Sequence, residues 1–365
     1  VIQGLTIVGD ILRPDGRGRP GGADRPSTWL FNAIKRPIQL ATRLPVELIS
    51  VGGCPEIGRF VAESRQPEAA ALFWASLFTA LPHGVPVEAM LLRRLHNRFC
   101  VGYELPPYLI HMLEQAGIPW IDIRLHPVRF MDDLMFAVRA GARETQAALG
   151  PISVAENEVI VTAGLREAMG QLISEATLPP NSLIVAGQRP MDSSQIMEGR
   201  FFDAIPHAKE IAAVCARYNA VLLKPHPLPD EAHSLLLIAA QQANVRGVLA
   251  DNLYRLLALP QVSAVLTVNS SIAYEAGYFG KAVHTLAPLP VRLSWRGTAV
   301  DPLAYASLDD QVLTPDFWRL VLAPLVPVTA DDGVRLAPKP NRLRIALDSF
   351  WNYQQVDTDR IPRTA

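Results

Sequence analysis

Cysteine is scarce in this chain: Cys54, Cys100 and Cys215 are the three in 365 residues, far apart and with no CxxC pair. An odd, scattered set excludes a disulfide scaffold and a structural zinc site, and it fits a reducing compartment. Net charge is also lacking. Thirty-four Lys and Arg against 35 Asp and Glu give −1, which leaves no electrostatic footprint for nucleic acid or for an anionic membrane surface. No run approaches the roughly 18 apolar residues of a membrane span, so no membrane-spanning segment is expected. No His/Asp cluster with metal-ligand spacing is present, which argues against a bound metal. It begins Val1-Ile2-Gln3-Gly4, without Met or a signal-peptide pattern, and reads as a piece of a longer protein or as the trace of a trimmed tag.

What is present is a well-mixed globular composition, 49% apolar and 19% charged, long enough for two cores. The second half is the more legible. Apolar runs at 182–186, 220–224, 247–249, 262–268 and 282–286 read as strands. Helical spacing over 206–218, 231–242, 252–257 and 272–279 fills the gaps between them. Strand–helix alternation at this spacing predicts a parallel sheet covered on both faces. The first half repeats the theme less cleanly, with strands at 5–9, 46–51 and 120–123 and helices near 68–80 and 105–116. Residues 11–28, rich in Gly, Pro, Arg and Asp, read as a mobile loop. A helix over 156–176 leads to a linker at Pro179-Pro180. The expected division is a first domain over 1–178, a second over 179–335, and a tail over 336–365 whose segment 343–353 forms an amphipathic helix packed on the first domain.

Ligands of open parallel sheets sit beyond the carboxyl ends of the strands. Three strands of the second half run into polar clusters there: Gly187-Gln188-Arg189-Pro190-Met191-Asp192-Ser193-Ser194, Lys224-Pro225-His226-Pro227 and Asn269-Ser270-Ser271. Ser270 and Ser271 precede a helix, where hydroxyls and free N–H groups suit a phosphate; a plain N-cap is the ordinary alternative. Lys224 and His226 place a cation and an imidazole at a strand end with the backbone fixed by prolines. Glu275, one turn into the helix, suits ribose hydroxyls or else a solvated face. Asp192 is a nucleophile, a base, a metal ligand or a turn cap. From the first half, Glu104 in Gly102-Tyr103-Glu104-Leu105 and the segment Arg124-Leu125-His126-Pro127-Val128-Arg129-Phe130 reach the same cleft. Arg129 or Arg124 there can hold a carboxylate in a bidentate pair or form a salt bridge with Asp132 or Asp133.

These residues carry a resemblance. Val8-Gly9-Asp10-Ile11-Leu12-Arg13, His126-Pro127-Val128-Arg129-Phe130, Gly187-Gln188 with Asp192-Ser193, Lys224-Pro225-His226-Pro227, and Ser270-Ser271 with Glu275-Ala276 resemble, in that order, the retaining β-Kdo transferases of bacterial capsule and lipopolysaccharide O-antigen assembly. The His-Pro and Ser-Ser pairs also look like those of bacterial sialyltransferases, which use CMP-sugars too.

The resemblance implies an α/β, GT-B-like fold of two Rossmann-like domains facing across a cleft, CMP-β-Kdo as donor, a glycan acceptor, and no metal or other cofactor. It implies a cytoplasmic enzyme, associated with the inner face of the bacterial inner membrane only peripherally. Lys224, His226, Ser270 and Ser271 would bind the CMP phosphate, with Gln188, Ser193, Asn269 and Glu275 as further donor contacts and Arg129 for the sugar carboxylate. Asp192 matches the nucleophile of a double displacement. Glu104 is the acceptor-side acid/base, with Asp122 as its rival. An inverting sialyltransferase-like enzyme and a non-catalytic nucleotide- or glycan-binding module are the competing readings.

Overall fold

The structure, a computed structural model, describes residues 1–347 except 16, 62–66, 83, 174–177, 227–232, 250–251, 332, 334, 338 and 340. The chain opens with β1 (Gly4–Gly9), β2 (Val46–Leu48), β3 (Arg98–Tyr103), β4 (Trp120–Leu125) and β5 (Phe136–Ala140). β1 is buried along its whole length, as a strand covered on both faces must be. The helix Asp24–Thr42 supplies one cover, burying Leu30, Ile34, Ile38 and Ala41 on a single stripe. Gly9 lets that helix start close to the strand, since a Cβ there would meet the Ser27 hydroxyl at 2.2 Å.

The helix Glu156–Ile173 carries the chain across to a second sheet. This holds β6 (Ser182–Ala186), then, after the small hairpin β7 (Ile196–Met197) and β8 (Arg200–Phe201), β9 (Ala220–Lys224), β10 (Val245–Val248), β11 (Val262–Thr267) and β12 (Ala282–Thr285). All five main strands are parallel, in the order β10-β9-β6-β11-β12. The chain then returns to the first sheet with β13 (Leu293–Ser294) and β14 (Tyr305–Leu308), giving β13-β14-β5-β4-β3-β1-β2. β5 runs antiparallel to both β4 and β14. Two Rossmann-like units thus face one another across a cleft, the GT-B-like arrangement expected.

The expected boundaries need correction. Residues 293–322 belong with the first unit and not with a second domain over 179–335. β14 pairs with β5, and the helix Pro315–Leu322 buries Phe317, Trp318, Val321 and Leu322 in the first unit's core. The helix Glu156–Ile173, placed with the first domain, packs against Leu253–Ala258 of the second unit. Residues 11–28 are not all loop: the Asp15 carboxylate accepts from the backbone of Arg17 and Arg19 and from the Arg19 side chain, and from Asp24 onward the chain is helical. Of the tail, Arg342–Leu347 is helical and its Leu343 joins the first core; 348–353 lies outside the described residues, as do Pro227 and the start of the helix read over 231–242.

Candidate active site

The carboxyl ends of β6, β9 and β11 face the ends of β3 and β4 across a cavity of about 750 Å³, a volume that suits a nucleotide-sized ligand. Its wall brings together Glu104 and Arg129 from the first unit with Gln188, Asp192, Ser193, His226, Asn269, Ser270 and Ser271 from the second. Lys224, half-buried at the end of β9, and Glu275 do not reach that wall.

Asp192 caps the short turn Ser193–Gln195. Its Oδ1 accepts from the Ser194 N–H at 3.0 Å and the Ser194 hydroxyl at 2.9 Å. The turn-capping role is therefore real, but it uses one oxygen. The other, Oδ2, faces Arg13 of the first unit at 3.4 Å. The same guanidinium lies 3.8 Å from Glu104, so one cation spans two carboxylates from opposite units. Arg13 is fixed over the Trp74 ring, whose indole N–H donates to buried Asp10 at 2.7 Å; Tyr108 donates to Asp10 as well. Glu104 has left-handed backbone, φ 52°, a conformation that costs a side-chain-bearing residue free energy and is concentrated at functional sites. Burial in the cleft raises its pKa, opposed by Arg124 and Arg13 and reinforced by Asp192. Arg13 went unremarked as a site residue: its two partners lie 91 and 179 positions away, and no local pattern announces them.

On the opposite wall, Ser271 begins the helix Ile272–Tyr278, yet its side chain makes no capping bond. The plain N-cap alternative is thus not realised, and Ser271 lines the cavity. His226 stands beside it. Gly187 lies close against the Leu236 side chain, 2.8 Å from where a Cβ would stand.

Three expected contacts are reassigned by the geometry. The Gln188 amide donates to Asn269 and accepts from Thr267 and the Asn269 N–H, while Asn269 in turn accepts from Gln195 and donates to the carbonyls of Ser194 and Pro288. His233 contacts Gln195 at 3.2 Å. These amides are spent on one another and lock the loops after β6 and β11, so Gln188 and Asn269 position the wall. Glu275 is buried, accepting from the Arg129 N–H at 2.7 Å and the Tyr254 hydroxyl at 3.0 Å; burial lifts its pKa to about 7. It ties the first unit's loop to the second unit's helix and is not placed for ribose. Asp122, the rival to Glu104, is fully buried and accepts from the Leu105 N–H, Arg124 and the Tyr305 hydroxyl, leaving no face for an acceptor. His126 is likewise structural: it is buried between Ser307 and the Val128 N–H, and desolvation pushes its imidazole down to about 3. Among the described residues no three His, Cys, Asp or Glu side chains converge on a point where a metal would sit, and no helix is long and apolar enough to cross a membrane.

No protein-family model and no curated protein matches the chain. Solved structures similar to it include Thermosulfurimonas dismutans KpsC, beta Kdo 2,7 transferase, at 12% identity over 86% of this chain and 89% of that one, TM-score 0.36. The KpsC beta Kdo 2,4 transferase of the same organism matches at 12% over 61% and 78%, TM-score 0.33. E. coli ADP-heptose lps heptosyltransferase II matches at 12% over 88% and 98%, TM-score 0.24. Identities and scores this low do not align individual site residues.

Proposed function

We propose that this chain is a glycosyltransferase that moves Kdo from CMP-β-Kdo to a saccharide acceptor with retention, through a covalent intermediate on Asp192. The observation that carries the reading is the pairing of Asp192 and Glu104, from opposite units, on one arginine, in the same cavity as His226 and the uncapped Ser270-Ser271 helix start.

In this mechanism Asp192 Oδ2 leaves Arg13 and bonds to the anomeric carbon while the bond from that carbon to the phosphate oxygen breaks. CMP departs with the electron pair. His226, the serine hydroxyls and the helix N–H groups donate to the phosphate oxygens and stabilise the charge that develops there. The acceptor hydroxyl then attacks the same carbon, Glu104 takes its proton, and the Asp192 carboxylate is released. Two inversions return the starting configuration. A carboxyl with a raised pKa next to an ion-paired one fits this division between proton carrier and nucleophile. Arg129, on the wall, would hold the sugar's own carboxylate.

Intact-protein mass measurement tests the reading. With CMP-Kdo generated in situ and no acceptor, the wild type gains one sugar mass on the peptide holding Met191-Asp192-Ser193. Asp192→Asn keeps its fold and CMP affinity but loses transfer by several orders of magnitude. A product of inverted configuration, with no adduct at any time, would establish the inverting mechanism in its place. Transfer is also expected to persist in excess chelator; its loss, with recovery on adding Mg²⁺ or Mn²⁺, would recast Asp192 as a metal ligand.

A further inference from the structure

The cavity wall carries Arg124, Arg129, Arg139, Arg189 and Arg292 against the carboxylates of Glu104 and Asp192. The proposed donor needs cations at two places, its phosphate and its sugar carboxylate, and the first of these lies on the second unit. Arg129 is tied to that unit as well, through its N–H bond to Glu275.

Arg124 and Arg139 are different. Both stand on the first sheet, where Asp122 and Arg139 are direct cross-strand partners on β4 and β5. The Arg139 guanidinium lies over the Trp120 ring at 5.1 Å and the Tyr305 ring at 5.0 Å, and Arg124 lies over Tyr305 at 4.6 Å. Asp122 is the carboxylate nearest to hand, but it is consumed by Arg124, Tyr305 and the Leu105 N–H. Among the described residues Arg139 has no carboxylate partner, and its Nε is buried without a hydrogen bond. Two stacked, pre-oriented guanidinium groups with spare donors form a ready carboxylate or phosphate cradle. It lies beside Glu104, whose carboxyl feels Arg124 as its strongest positive neighbour. Two partly exposed leucines, Leu289 and Leu303, give the same cavity an apolar ledge.

We infer that Arg139 and Arg124 form an acceptor-side subsite for an anionic group, a carboxylate or a phosphate, so that the acceptor is an acidic saccharide. The word acceptor rests on the function proposed above; the anion site itself does not.

Calorimetry without donor tests it on the full chain, with methyl galacturonoside, its carboxyl methyl ester, and methyl galactoside 6-phosphate as probes. The acid, the phosphate or both should bind about tenfold or more tighter than the ester, as one charge-assisted pair provides. The better of the two identifies the group. That preference should vanish in Arg139→Gln and return in Arg139→Lys. Because Arg139 also packs on Trp120, Arg139→Met, which keeps the stem without the charge, carries the test if the glutamine variant melts early. Equal binding of all three probes to the wild type, or a preference unchanged in the neutral variants, overturns the subsite. No turnover is involved, so a chain that transferred no sugar would still give the answer.

Discussion

Arg13 lies between the two cleft carboxylates, 3.8 Å from Glu104 and 3.4 Å from Asp192. After Arg124, its positive charge favours the ionised form of Glu104, against the burial that raises the pKa. Removing the charge therefore raises that pKa further. If Glu104 must be ionised to take the acceptor proton, Arg13→Gln moves the acid limb of the kcat/KM profile upward. Arg13→Lys should restore part of the shift, and CMP affinity should hold, since the phosphate side lies across the cleft. An unmoved limb would remove Glu104 from the proton transfer. That Asp192, His226, Ser270 and Ser271 would line one cavity was legible beforehand, because strand ends of a parallel sheet say where ligands sit. The roles of Gln188, Asn269, Glu275 and Asp122 were not. Polar residues at strand ends look alike in sequence whether they face a ligand or one another, and only the fold shows which hydrogen bonds are already made.

At the level of elements, the buried Glu275 on the helix Ile272–Tyr278 joins two segments with one carboxyl, and this gives the fold a pH dependence. Its pKa is raised to about 7 by burial, above the ordinary glutamate value. The folded state therefore holds a proton that the unfolded chain releases, and stability falls as pH rises from about 4.5 through 7. Glu275→Gln keeps an acceptor for the Arg129 N–H and cannot ionise. It should flatten the decline of Tm over that interval, gaining roughly a few °C on the wild type at pH 7.5 relative to pH 5. Parallel slopes for the two proteins would show that the carboxyl is not the titrating group. The elements themselves were read well where apolar runs are long and β-branched, as in β6, β9 and β11. They were missed where local signals conflict. Asp24–Thr42 carries Pro37 in its interior, a position at which proline removes a helix bond, and only the fit of Leu30, Ile34 and Ile38 into the core outweighs it. β13 and β14 are two and four residues long and owe their strand character to pairing, β14 with β5 and β13 with β14, which a local pattern cannot show.

For the molecule as a whole, the misplaced boundary has a physical consequence. A chain divided once, near residue 178, would be two cores on a tether. This chain crosses by the helix Glu156–Ile173, returns before β13, and also sends a wedge across: Val128 and Phe130 of the first unit sit in the second unit's core, with Phe130 edge-on to Phe279 at 5.5 Å and to Tyr254 at 6.3 Å. Arg344 of the tail clamps the base of that wedge by donating to the carbonyls of Arg129 and Met131. The second unit's core is completed by residues of the first, so the two should melt together. Scanning calorimetry is expected to give one transition, shifted as a whole by CMP although CMP would bind mainly to the second unit. Phe130→Ala, which empties an aromatic-sized volume at the junction, should lower that single transition by the equivalent of about 3–5 kcal/mol. Two resolved transitions in the wild type, with only the one moved by CMP also sensitive to Phe130→Ala, would mean that the wedge merely rests on the second unit, and that motion between the units is free to open and close the cleft.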